Sequence, residues 1–71
     1  MGVYSIKEIS LMVDIPEGTL RTCLGHYSFD KYYKGRKIEV SKEFYNALLK
    51  YLWKKLSYKY IKNVERLIKN G

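Results

Sequence analysis

The chain contains a single proline, Pro16, and its position does more than any other residue to limit what the chain can fold into. It separates two segments whose apolar residues recur at helical spacing. Upstream, Ile6, Ile9, Met12 and Val13 fall on one helical face, and Ser5 with Glu8 forms an S-x-x-E capping box ahead of it. Asp14-Ile15-Pro16 ends that helix, because the residue before a proline is driven out of the α region and proline itself suits a first helical turn. Downstream, Leu20, Cys23, Leu24 and Tyr27 recur at i, i+3, i+4 and i+7, which predicts a second short helix over 16–24. Two helices joined by a tight turn across Ser5–Leu24 are the frame to which everything else must attach.

The other face of the second helix carries Glu17, Gly18, Arg21, Thr22 and Gly25. Small side chains let a helix backbone sit deep in a DNA major groove, and an arginine can reach a phosphate or a guanine edge. The pattern therefore fits the second element of a DNA-binding helix-turn-helix, and equally a plain αα-hairpin. A formal charge of +7 in 71 residues favours a polyanionic partner. That charge is unevenly placed. Through Leu49 there are seven basic and six acidic residues, and from Lys50 onward seven basic and one acidic. The candidate reading head is thus nearly neutral, while the C-terminal third carries the field.

After Leu24, the runs Phe29–Tyr33 and Lys37–Val40 are β-prone, with a turn at Lys34-Gly35-Arg36 where glycine allows positive φ. A hairpin over 29–40, tipped by Lys34, Arg36 and Lys37 with Lys31 at its base, is expected to form a wing, or else an ordinary basic hairpin in solvent. Ser41 caps a further helix. From Phe44 to Leu56 its apolar residues cover one arc, and Tyr60, Ile61, Val64, Leu67 and Ile68 centre on a different one. Either the helix breaks near Ser57, or its second half meets another partner. On an unbroken helix, Trp53, Leu56, Tyr60, Val64 and Leu67 would form a seam for a homodimer. On a broken one, the last segment would fold back and complete the monomer's own core. Residues 1–56 are expected to form the winged domain and 57–71 a helical extension serving one of these ends.

The order of these elements resembles the MerR-like and excisionase-like winged helix-turn-helix proteins. The likeness rests on Tyr4-Ser5-Ile6-Lys7-Glu8-Ile9, then Val13-Asp14-Ile15-Pro16, then Thr19-Leu20-Arg21, and on GRKIEVSKEFYNALLKYL after the turn. It runs from about Tyr4 to Leu52. The chain departs from the family at Asp14, where a turn glycine is common, and at Gly18 and Thr22, which replace bulkier or more polar residues. The resemblance implies a mainly α fold with a small β-hairpin and binding to double-stranded DNA, in a small transcriptional regulator or a recombination directionality factor. It places Thr19 and Arg21 at DNA from the helix, and Arg36 with its neighbours from the wing.

An enzyme is not expected, since no carboxylate pair, nucleophile-base pair or phosphate-binding loop is present. One cysteine excludes an internal disulfide, and neither a cofactor nor a metal is implied. No apolar run is long enough to span a bilayer, and a reducing, cytoplasmic location follows. Two other classes compete with DNA binding: a small protein-interaction module with a tyrosine-rich surface, and a membrane-surface binder using the basic C-terminal helix.

Overall fold

The computed structural model describes residues 2–70, for Asn70 the backbone only. The chain is mainly helical, with a small three-stranded antiparallel sheet. Strand β1 (Gly2–Tyr4) is followed by α1 (Ile6–Val13), α2 (Glu17–Leu24), a 3₁₀ helix (Tyr27–Tyr32), β2 (Tyr33–Lys34), β3 (Lys37–Val40), α3 (Lys42–Lys54) and α4 (Tyr58–Asn70).

The capping box forms as the sequence predicts. The Ser5 hydroxyl accepts the Glu8 N–H at 3.2 Å, and the Glu8 carboxylate accepts the Ser5 N–H at 2.9 Å. Asp14 then takes a left-handed conformation, φ +54°, the role that a glycine would fill without strain and that aspartate tolerates better than most residues. Ser10 secures this turn: its carbonyl accepts the Asp14 and Ile15 N–H groups, and its hydroxyl donates to the Ile15 carbonyl at 2.6 Å. The turn also draws a strap from the far end of the chain, because the Asn63 amide of α4 donates to the Asp14 carbonyl at 2.9 Å.

Residues 29–32 do not belong to the hairpin. Phe29 and Tyr32 are both buried, and their i, i+3 spacing matches the three-residue turn of a 3₁₀ helix, which stacks such residues on one side. His26 caps it by accepting the Ser28 N–H at 3.2 Å. Tyr27, expected on the inner face of the second helix, is instead 78% exposed, because α2 stops at Leu24. The hairpin proper is β2–β3, paired Tyr33 to Ile38 and Lys34 to Lys37 around Gly35-Arg36. Gly35 has φ +69° and Arg36 does not have a positive φ, the pattern of a type II′ turn, which matches strand twist. Strand β1, absent from the sequence reading, pairs along the other edge of β3, with Val3 opposite Glu39. Ile38 and Val40 point from β3 into the core, while Lys37 and Glu39 face outward.

The chain breaks between α3 and α4 without glycine or proline. The Ser57 N–H reaches back to the Leu52 carbonyl at 2.9 Å and the Leu56 N–H to the Trp53 carbonyl at 3.1 Å. These two bonds make a Schellman motif with Leu56, φ +56°, at the position usually held by glycine. The return of α4 puts Ile61 and Val64 into the same core as Ile9, Leu20, Leu24, Phe44, Leu48 and Leu52. The continuous seam from Trp53 to Leu67 is therefore overturned: Val64 is wholly buried within the monomer, while Trp53 and Leu56 are exposed at the corner. The second apolar arc meets α3 and α1.

Candidate nucleic-acid interface

Helix α2 is held from one side only. Leu20, Cys23 and Leu24 are buried beneath it, and burial pushes the Cys23 thiol up, away from the reactive thiolate. Gly18, Arg21 and Thr22 are exposed, with Glu17 and Thr19 half-buried. The Arg21 guanidinium donates to the Glu17 carboxylate at 2.7 Å across one helical turn. The Thr22 hydroxyl donates to the Gly18 carbonyl at 3.2 Å. A Cβ added at Gly18 would meet nothing within 4 Å, so no neighbour within the fold requires glycine there. Pro16 gives the helix no side-chain cap, which leaves the first-turn N–H groups to solvent or to a ligand.

The hairpin is fixed beside the end of this helix. The Tyr33 hydroxyl of β2 donates to the Leu24 carbonyl, the last residue of α2, at 3.3 Å. Lys34, Arg36 and Lys37 are exposed around the turn. Lys31 does not join them at a strand base. It sits on the 3₁₀ helix with its amine 3.3 Å from the Glu43 carboxylate and 5.3 Å from the Tyr32 ring centroid. The hydrogen bond to Glu43 and the nearby Tyr32 and Glu43 groups raise its pKa. Eight of the nine residues singled out in the sequence thus form two neighbouring groups, the outer face of α2 and the hairpin, while Lys31 belongs elsewhere.

The fold adds residues that the sequence did not assign. Thr19 and Thr22 border a cleft of about 400 Å³ whose opposite wall is Tyr51, Lys55 and Ser57 at the end of α3. Lys55 lies close enough to favour the Cys23 thiolate, though burial outweighs it. The signal for Lys55 was the one-sided charge of the C-terminal third, but only the position of α3 shows which lysine flanks α2. Among the described residues, no group of histidine, cysteine and carboxylate side chains could hold a metal ion, and no helix is long and apolar enough to cross a membrane. No protein-family model, curated protein or solved structure matches the chain.

Proposed function

We propose that the chain binds double-stranded DNA as a cytoplasmic transcriptional regulator or recombination directionality factor, with α2 in the major groove and the β2–β3 hairpin against the neighbouring backbone or minor groove. The observation that carries this reading is the outer face of α2. Among the described residues its side chains have no hydrogen-bond or ion-pair partners outside their own helix, it has an open glycine where close approach would occur, and a hairpin with three exposed cations is fastened to its end. Buried residues on the inner face account for why the helix exists, and the outer face is left free to contact something else.

The roles differ by group. Arg21 reads a base edge, with Thr19 and Thr22 close to it, while Glu17 and Gly18 border the approach. Lys34, Arg36 and Lys37 act through phosphates, so they set affinity and salt dependence but not sequence preference. Lys31 would reach a phosphate only by leaving Glu43, an exposed, solvent-screened ion pair.

Gel shifts on duplex across a salt series test this. Arg21→Ala is expected to weaken specific binding by roughly 1–3 kcal/mol without changing the fold. Neutralising Lys34 and Arg36 together should reduce the salt slope by about 1 per lost phosphate contact, equally for all sequences. An unchanged slope removes the hairpin from the interface, and unchanged affinity in Arg21→Ala removes α2. The protein-module reading draws support from one feature, the exposed corner of Trp53, Leu56 and Tyr58. For the membrane reading, Ile61 and Val64 of α4 are committed to the core, so it would rest on the basic charge of the C-terminal third alone.

A further inference from the structure

A second cleft, of about 430 Å³, opens between the 3₁₀ helix and α3, away from the hairpin tip. Its volume falls within the range of about 300–1,000 Å³ typical of small-molecule sites. One wall is a stripe of α3 in which Lys50, Tyr51 and Lys54 follow one another at helical spacing; the other brings His26, Lys31 and Tyr32. Among the described residues no carboxylate lines it. Among the described residues, Lys50 and Lys54 have no carboxylate within ion-pair reach, and like charges at i, i+4 weaken a helix. The helix dipole accounts for a lysine in the last turn of α3. It does not account for Lys50 one turn earlier, nor for Lys31 arriving from another element.

The aromatic groups in this cleft are held in place. The Tyr51 ring meets Phe29 edge-on at 5.9 Å between centroids, and the His26 ring lies 5.6 Å from it. Tyr27, exposed, lies against His26 at 4.4 Å between ring centroids with a tilt of 31°. The His26 Nδ1 accepts the Ser28 N–H at 3.2 Å and lies 2.8 Å from the Ser28 hydroxyl, which fixes the ring's orientation. An imidazole ring beside a fixed tyrosine gives flat surface for a base, and lysines beside it supply the anion-binding half of the same site.

We infer that this cleft binds a nucleotide unit, with its base packed in the angle between the His26 and Tyr51 rings, which are inclined by 58°, and its phosphate held by Lys50 and Lys54, Lys31 joining once it leaves Glu43. Flat rings next to lysines are the combination by which proteins hold unpaired nucleotides without reading sequence. The same chemistry is offered by a free nucleotide and by an unpaired nucleotide within a strand. The inference does not depend on α2 docking on duplex DNA.

Isothermal titration of the whole chain with AMP, adenosine, inorganic phosphate and a short single-stranded oligo(dA) tests it. AMP should bind saturably, with adenosine and phosphate each weaker by about tenfold or more, the size of one lost ring or charge contact. Lys50→Gln/Lys54→Gln, both exposed, should weaken AMP by about tenfold with an unchanged melting temperature. Tyr51→Phe, which keeps the ring, should bind as the wild type does, and Arg21→Ala, which tests the duplex reading, should leave AMP affinity unaltered. If oligo(dA) binds far more tightly than AMP, the ligand is a strand; if the two are equal, it is the free nucleotide. Phosphate binding as tightly as AMP, an unaffected double-lysine variant, or no saturable binding of any probe would overturn the inference.

Discussion

Leucine is an unusual choice at the corner between α3 and α4, and replacing Leu56 by alanine and by glycine measures what it costs. Leu56 sits at φ +56° and is 65% exposed, so both substitutions remove a side chain that contributes little burial. They differ only in the backbone. Alanine keeps the left-handed strain of an L-residue, about 1–2 kcal/mol, whereas glycine relieves it. Glycine in turn loses more unfolded-state entropy, roughly 0.5–1 kcal/mol relative to alanine. The difference favours Leu56→Gly over Leu56→Ala by up to about 1.5 kcal/mol, and for a domain of this size each kcal/mol is a gap of about 4–8 °C in melting temperature. At an ordinary helical position the order is reversed. Thermal and urea unfolding followed by far-UV circular dichroism would read the order directly, without relying on Trp53, which is too close to the site. If alanine proves as stable as glycine or more so, Leu56 is not left-handed in solution, and the Schellman corner that turns α4 back is wrong.

Val64→Asp should unfold the chain, because it places an unpaired charge at a position with no solvent exposure, at a cost of several kcal/mol; light scattering that shows a folded monomer from a dimeric parent would contradict the buried position. Asn63→Ala removes the hydrogen bond to the Asp14 carbonyl and should cost up to about 1 kcal/mol, with faster amide exchange at Ile15 than elsewhere; uniform exchange would show that α4 does not brace the turn. The Glu8 carboxyl is lowered first by the Ser5 N–H and then by its hydroxyl. Its contribution to stability is therefore present above the ordinary carboxylate pKa and lost as pH falls through the lowered folded value, so Glu8→Gln should flatten the acid limb of the stability profile.

How far the sequence could be read follows from the range of the interactions involved. The capping box, the left-handed Asp14, the Pro16 break and the Ser41 cap are set within a few residues, and each was visible as a pattern. Strand β1 is three residues long and pairs with β3 some thirty-six residues away, so no local period announces it. Phe29 and Tyr32 have β-prone composition, but their burial depends on Phe44 meeting both rings edge-on or near it, and that selects the 3₁₀ turn. The displaced apolar arc of α4 required a bend or a partner. Only the hydrogen bonds that place a leucine where glycine usually stands decide for the bend. For the candidate interface, the outer face of α2 could be read from spacing alone. Lys55, which flanks it, could be read only as part of a charge excess, because it acquires its neighbours from elements far away in the chain.

The Glu17–Arg21 pair makes the outer face of α2 electrically neutral, which at first sight works against the proposed docking on DNA. The magnitudes point the other way. The pair is exposed on both sides, at 62% for Arg21 and 40% for Glu17, so releasing Arg21 costs no more than about 1 kcal/mol. A bidentate contact from arginine to a guanine edge is worth about 1–3 kcal/mol, which makes the exchange favourable only at a site that presents such an edge in reach. Elsewhere Arg21 stays with Glu17, and the carboxylate confronts phosphates with nothing gained. If α2 docks on DNA as proposed, Glu17 would act as a penalty on wrong sequences more than as a support for the helix, in the way repulsive elements generate specificity. Glu17→Gln is accordingly expected to strengthen binding to random duplex by more than it strengthens binding to a selected site, narrowing the ratio between the two. Competition gel shifts with a site selected from random duplex measure that ratio. An equal gain on both would mean that Glu17 contributes only background charge, and a loss on both would assign it a contact of its own.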